Sequence, residues 1–227
     1  MDIIPVIDLK GGLVVHARQG RRDEYRPIKT PLSATANPAD VVAGLLRLHS
    51  FHALYVADLD TIEGDGGNRT ALAALPPRLD IWLDAGVRDA AGAASWAGSL
   101  VLGSESQRDA RLLASLRDDP RLVLSLDFRG DAFQGPPEIL ADAQLWPGRV
   151  IAMTLARVGA EQGPDLARLA EIARRAGAGR RVYAAGGVRN LADLRAAASA
   201  GAAGALVATA LHAGAIQPAE IAEAARL

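Results

Sequence analysis

The chain has 227 residues, half of them hydrophobic, with 25 lysines and arginines against 26 aspartates and glutamates and no cysteine. A net charge of −1 gives no global electrostatic reason to expect nucleic acid or an anionic membrane as a partner. Without cysteine there are no disulfides, thiolate metal ligands or cysteine nucleophile.

The length suits one α/β domain over residues 1–227. Met1-Asp2 leads directly into a short apolar segment with no basic flank or small-residue cleavage site, and no apolar run approaches the ~20 residues that span a bilayer. The expectation is an unprocessed, soluble, cytoplasmic protein.

Short β-branched or leucine-rich runs bounded by turn residues occur at Ile3–Ile7, His52–Ala57, Ile81–Leu83, Leu100–Leu102, Leu122–Leu126, Val150–Thr154, Val182–Ala185 and Gly204–Val207. Between most of them lie alanine-, leucine- and arginine-rich stretches with helical spacing, such as Pro38–His49, Pro164–Ala176 and Leu191–Ala200. Strand alternating with helix implies a parallel sheet covered by helices, and eight strands are what a (β/α)₈ TIM barrel needs. The rival architecture is an open doubly wound sheet, but the Gly-x-Gly-x-x-Gly turn expected after its first strand is missing. Leu13–Ala17, close behind Gly11-Gly12, predicts a hairpin-like extension of the first strand. Arg18–Asn37 then forms a long first βα loop, and Pro218–Leu227 a closing helix.

The halves of the chain repeat. Val6-Ile7-Asp8-Leu9 is matched by Leu126-Asp127-Phe128, Asp84-Ala85-Gly86-Val87-Arg88-Asp89 by Ala185-Gly186-Gly187-Val188-Arg189-Asn190, and Leu100–Ser104 by Ala205–Thr209. Three echoes in one order indicate an internally duplicated half-barrel. Asp8 and Asp127 then stand at the C-terminal ends of strands one and five, opposite each other across the mouth where barrel active sites lie. An aspartate after a strand often only caps a turn. Two in repeat-related positions point to acid/base work, provided their surroundings push their pKa values apart.

Glycine-rich turns follow the strands of each half. Gly186, Gly187, Ala208 and Thr209 predict a phosphate cradle, because exposed N–H groups there approach an oxyanion with no Cβ in the way. Gly86, Arg88, Gly103 and Ser104 form the repeat-related site, and it is the weaker one because Asp84 precedes it. Arg18, Arg21, Arg22 and Arg26 suggest a cationic substrate loop over the mouth, although a charge run is as often a solvated face. Asp58 and Thr154, ending strands two and six, are expected to support the site. Asp58, Asp60 and Glu63 lack the ligand register of a calcium loop, and the four histidines lack metal spacing, so no metal is expected. The expected ligand is a phosphorylated small molecule.

Ile4–Gly12, Tyr55–Asp60, Ser125-Leu126-Asp127 and Ala185–Val188 resemble the HisA/HisF family, the half-barrel-duplicated enzymes of histidine biosynthesis. The resemblance covers nearly the whole chain, and the strand-one motif with its paired aspartates is nearer to HisA. It implies an Amadori-type aldose-to-ketose isomerisation of an aminated ribose phosphate without metal or organic cofactor. Asp8 would move the proton at the sugar C2, and Asp127 would open the ring as the acid.

Departures from that pattern are equally specific. Thr154-Leu155-Ala156-Arg157 replaces an acidic Asp-Gly-Thr loop, and Ala208-Thr209-Ala210 replaces a Gly-Lys/Arg-Ala turn. The Arg18–Pro27 segment resembles that of a divergent HisA/HisF-related group linked to tetrahydromethanopterin or methanofuran metabolism. Alternative readings are thus a paralogue acting on another phosphorylated intermediate, or a non-catalytic barrel that binds a phosphometabolite.

Overall fold

A computed structural model of the chain describes residues 1–17, 22–158 and 162–227. All the expected strands form: β1 Asp2–Lys10, β2 Ala53–Asp58, β3 Asp80–Asp84, β4 Ser99–Gly103, β5 Leu122–Arg129, β6 Arg149–Thr154, β7 Arg181–Ala185 and β8 Gly204–Val207. Each pairs in parallel with the next in sequence, and β8 pairs back onto β1, with Asp2 opposite Gly204 and Pro5 opposite Val207. This last ladder closes the sheet into a (β/α)₈ barrel and excludes the open doubly wound alternative. Helices cover the outside, the longer ones being Pro38–Leu48, Leu166–Ala176, Leu191–Ser199 and Pro218–Ala224.

The strands read as almost continuous apolar runs because both of their faces are buried. Alternate residues point outward against the helices, as Ile3, Ile7, Leu54, Val56, Leu124 and Leu126 do. The other set fills the barrel with Ile4, Tyr55, Trp82, Val101, Val123, Ile151, Tyr183 and Leu206. Trp82 and Tyr183, from the repeat-related strands β3 and β7, meet edge to face with centroids 4.9 Å apart. The Tyr183 hydroxyl donates to Asp2 at 3.1 Å, and Arg149 stacks 5.0 Å over Trp82, so the N-terminal end of the barrel is plugged.

β1 continues through Gly11-Gly12 into an antiparallel strand, Leu13–His16, as the sequence suggested. β5 does the same through Gly130 into Ala132–Gln134, a hairpin that the strand-like segment ending at Phe128 did not predict. The two hairpins are equivalent: Asp8 pairs with Val15, Asp127 pairs with Gln134, and the first turn glycines have φ of 59° and 58°. The matching segments Asp8-Leu9-Lys10-Gly11 and Asp127-Phe128-Arg129-Gly130 carry the two turns and form a fourth echo between the halves.

Gly204 tests the closure. A Cβ there would lie 2.6 Å from the Tyr183 ring and 2.7 Å from the Asp2 carbonyl oxygen. Gly204→Val is expected to lower stability by roughly 1–3 kcal/mol through overpacking at the β8–β1 seam, read from the urea midpoint.

Candidate active site

A cavity of about 670 Å³ opens at the C-terminal ends of the strands, a size that suits a small-molecule ligand. Its wall includes Asp8 from β1, Tyr55 and Ala57 from β2, Asp84 from β3, Met153 from β6, Ala185 from β7 and Leu206 from β8. Loop residues complete it, among them Tyr25, Ile62, Glu105, Arg129, Arg157, Gly186, Gly187, Arg189, Ala208 and Thr209.

Asp8 is half-buried on this wall. Asp127 lies just behind the wall, 5% exposed. Its Oδ1 accepts from the Ser125 hydroxyl at 2.6 Å, and its Oδ2 accepts from the Glu105 amide at 3.2 Å. The Ser104 hydroxyl oxygen accepts the Asp127 amide proton at 2.9 Å and stands 2.7 Å from the Gln134 carbonyl and 3.1 Å from Asp127 Oδ2. A hydroxyl carries one proton, and the carbonyl can only accept. With that proton on Gln134, the Oδ2 contact is satisfied when Asp127 supplies the proton itself. Burial, reinforced by the charges of Glu105 and Asp84 and only partly offset by the hydrogen bonds from Ser125 and Glu105, pushes the Asp127 carboxyl up to about 7. The Tyr55 hydroxyl donates to Asp84 Oδ2 at 2.8 Å, and burial together with Asp84, Asp127 and Asp8 keeps this phenol neutral.

The predicted phosphate residues divide by half. Gly186, Gly187, Ala208 and Thr209 all line the cavity. Gly186 and Gly187 have φ of 96° and 89°, and a Cβ on either would lie within 2.5 Å of the Thr154 or Gly163 carbonyl oxygen. Glycine is therefore dictated both by backbone conformation and by the loops packed behind it. Thr154 is buried and supplies one of those carbonyls. Arg157 and Arg189 stand beside this turn: Arg157 donates to the carbonyls of Gly163 and Pro164 at 2.9 Å each, and Arg189 forms a two-pronged pair with Asp193 at 2.8 and 3.0 Å. In the first half, Gly86, Arg88, Gly103 and Ser104 do not line the cavity; Ser104 is fully buried and Arg88 points to solvent.

Asp58 orders the loop after β2. Its carboxylate accepts from the Thr61 amide and hydroxyl and from the Asn68 backbone and side chain at 2.7–3.2 Å. Asn68 and Asp60 in turn bind the amides of Gly12 and Gly11 at 2.8 and 2.7 Å, which ties the β1 hairpin to the loop after β2. Among the described residues no group of acids and histidines is arranged to hold a metal, and no helix is long and apolar enough to cross a membrane. In the predicted arginine loop, Arg18, Arg21 and the Arg22 side chain lie outside the described residues. Arg26 is exposed, off the cavity wall and bound to the carbonyls of Asp23 and Tyr25, so the described part of the loop presents Tyr25 and Asp23 to the cavity. Sequence reasoning did not anticipate Tyr55, Asp84, Glu105 or Arg157 as wall residues. Arg157 was detectable only as a departure, three positions past the end of β6.

The chain is thus a duplicated (β/α)₈ barrel with carboxylates at the ends of β1 and β5 and a glycine-rich turn after β7. Residues 2–217 match the family described as histidine biosynthesis protein. The chain belongs to that family, the HisA/HisF barrels. It is 31% identical to a 1-(5-phosphoribosyl)-5-((5-phosphoribosylamino)methylideneamino) imidazole-4-carboxamide isomerase of Myxococcus xanthus, with 98% of each chain covered. It is 32% identical to an isomerase of the same name from Sorangium cellulosum, with 99% of each covered. An uncharacterized protein of Methanocaldococcus jannaschii is 27% identical, with 97% of each covered.

The raised Asp127 makes a pH prediction. Its folded-state value of about 7 lies above its ordinary 3.8, so the stability this carboxyl contributes is complete below the ordinary value and is lost as pH rises through about 7. Asp127→Asn does not titrate, so its Tm is expected to gain on the parent between about pH 4 and about pH 7 and to hold that gain above it. A constant difference in thermal unfolding across that range would contradict the buried, proton-holding carboxyl.

Proposed function

We propose that this chain is a cofactor-independent aldose–ketose isomerase acting on a phosphorylated sugar or ribotide, with Asp8 as base and Asp127 as acid. The observation that carries the reading is the difference between the two carboxylates. Asp127 is held protonated close to neutrality by burial, whereas Asp8 stands on the cavity wall. The Gly186–Gly187 turn, with Arg157 and Arg189 beside it, offers donors and positive charge to one phosphate. Its relatives from Myxococcus and Sorangium are named as isomerases, which supports the same reaction class here.

In this assignment the substrate's ring oxygen enters the corner between Tyr55 and Glu105. Asp127 gives it a proton as the ring C1–O bond breaks. Asp8 takes the proton from C2, and the electron pair moves to form an enediol or, on an aminated sugar, an enolamine. Asp8 returns that proton at C1 while the C2 hydroxyl gives its proton to the ionised Asp127, which leaves a ketone at C2, restores both carboxyls and makes the step redox-neutral overall. The neutral phenol of Tyr55 lies beside both carboxylates and can hydrogen-bond to the sugar without competing for the proton.

The test is exchange of the C2 proton in D2O, followed by 1H NMR over a panel of phosphorylated aldoses and aminated aldoses that includes the relatives' ribotide. Asp8→Asn and Asp127→Asn are each expected to lose at least about 10²-fold in exchange rate while binding inorganic phosphate nearly as the parent does. Undiminished exchange in both variants would remove the assignment, and a barrel that only binds its ligand would show no exchange on any panel member. Loss of the acid form should also make parent activity fall above about pH 7. Arg157→Ala should raise KM roughly tenfold with a smaller change in kcat, since the guanidinium binds ground and transition states alike.

A further inference from the structure

We infer that the substrate carries a single phosphate, held at the Gly186–Gly187 turn, and that the repeat-related turn in the first half is closed to a second one. This deepens the proposed function and rests on its phosphate reading of the second half. The closure is physical. Asp84 Oδ1 accepts the Gly86 amide at 3.2 Å, so a carboxylate of the chain already sits where a phosphate oxygen would be received. The Tyr55 hydroxyl donates to the other oxygen, Oδ2, at 2.8 Å and holds that carboxylate in place. Ile62 covers the turn from the cavity side: a Cβ on Gly86 would lie 3.2 Å from the Ile62 Cα and 3.3 Å from its Cγ1.

The turn after β4 is occupied in the same way. The Glu105 amide donates to Asp127 at 3.2 Å, and the Ser104 hydroxyl is enclosed between Asp127 and the Gln134 carbonyl. A phosphate placed there would have to displace two carboxylates and approach their charge in a partly desolvated site. The second half has Ala185 in the position of Asp84, so no carboxylate stands two residues before its Gly187; the Asp193 carboxylate takes the Arg189 amide instead, at 2.9 Å and two residues further on. The end of the cavity away from Gly187 is lined by Tyr55, Leu59 and Ile62 beside Asp84. It fits the uncharged or amine-bearing end of a phosphomonoester and repels a second phosphate.

The experiment is a titration of the uniformly 15N-labelled protein with inorganic phosphate, read at individual amides. Saturable shifts are expected at Gly187 and Thr209, with Gly86 and Glu105 unmoved. An Asp84→Gly variant should bring Gly86 into the responding set and raise the number of bound phosphates from one to two. Saturable shifts at Gly86 in the parent would overturn the single-phosphate assignment while leaving the second-half site standing. No response at Gly187 or Thr209 would overturn the phosphate reading of the second half and this inference with it. A folded Asp84→Gly protein whose Gly86 amide still ignores phosphate would overturn the role of Asp84 as the closing group.

Discussion

The β8–β1 ladder is the constraint from which the rest of the molecule follows. Once Asp2–Pro5 pairs with Gly204–Val207, the parallel strands have no free edge, and all their C-terminal ends face one mouth. Closure also creates an interior that side chains must fill, which it does with Tyr55, Trp82, Tyr183 and their aliphatic neighbours. His212, just past β8, reinforces the seam through a 2.9 Å contact between its Nε2 and the Val6 carbonyl, and Thr30 binds the His212 carbonyl at 2.6 Å. Strand ends that are far apart in sequence thereby contribute to a single cavity.

Duplication supplies two carboxylates in equivalent hairpins, and burial makes them different. Asp8 and Asp127 share a ladder position and a following turn. Only Asp127 is drawn back into the wall, 5% exposed, by its hydrogen bonds to Ser104, Ser125 and the Glu105 amide. The same covalent group thus holds a proton near neutrality on one side of the barrel. Desolvation is the leading cause, and it comes from packing around β4 and β5, not from any property of the aspartate.

The mouth is also polarised. Its first-half side bears Asp84 and Glu105, and its second-half side bears Arg157 and Arg189. A carboxylate that satisfies a turn amide locally stabilises that turn, but it also uses the donor an incoming anion would need. The two halves have kept one backbone scaffold and diverged in which groups occupy it.

The sequence by itself determined the strand count, the alternation with helices, the internal repeat and the positions of Asp8 and Asp127. These follow from local chemistry: apolar runs of strand length, turn glycines and helix-spaced alanine and leucine. It also marked Gly186 and Gly187, since an invasive turn of that kind admits no Cβ, and it flagged Asp84 as an obstacle in the first-half turn. Tertiary structure decided what depends on neighbours distant in the chain. Ile62 covering Gly86, Tyr55 fixing Asp84 and Ser104 turning toward Asp127 instead of the cavity all join residues more than 20 positions apart. Arg157 became a cavity residue only when the loop after β6 folded against the turn after β7. A carboxylate's proton affinity and a turn's vacancy are set by surrounding atoms, and only the closed barrel assembles those surroundings.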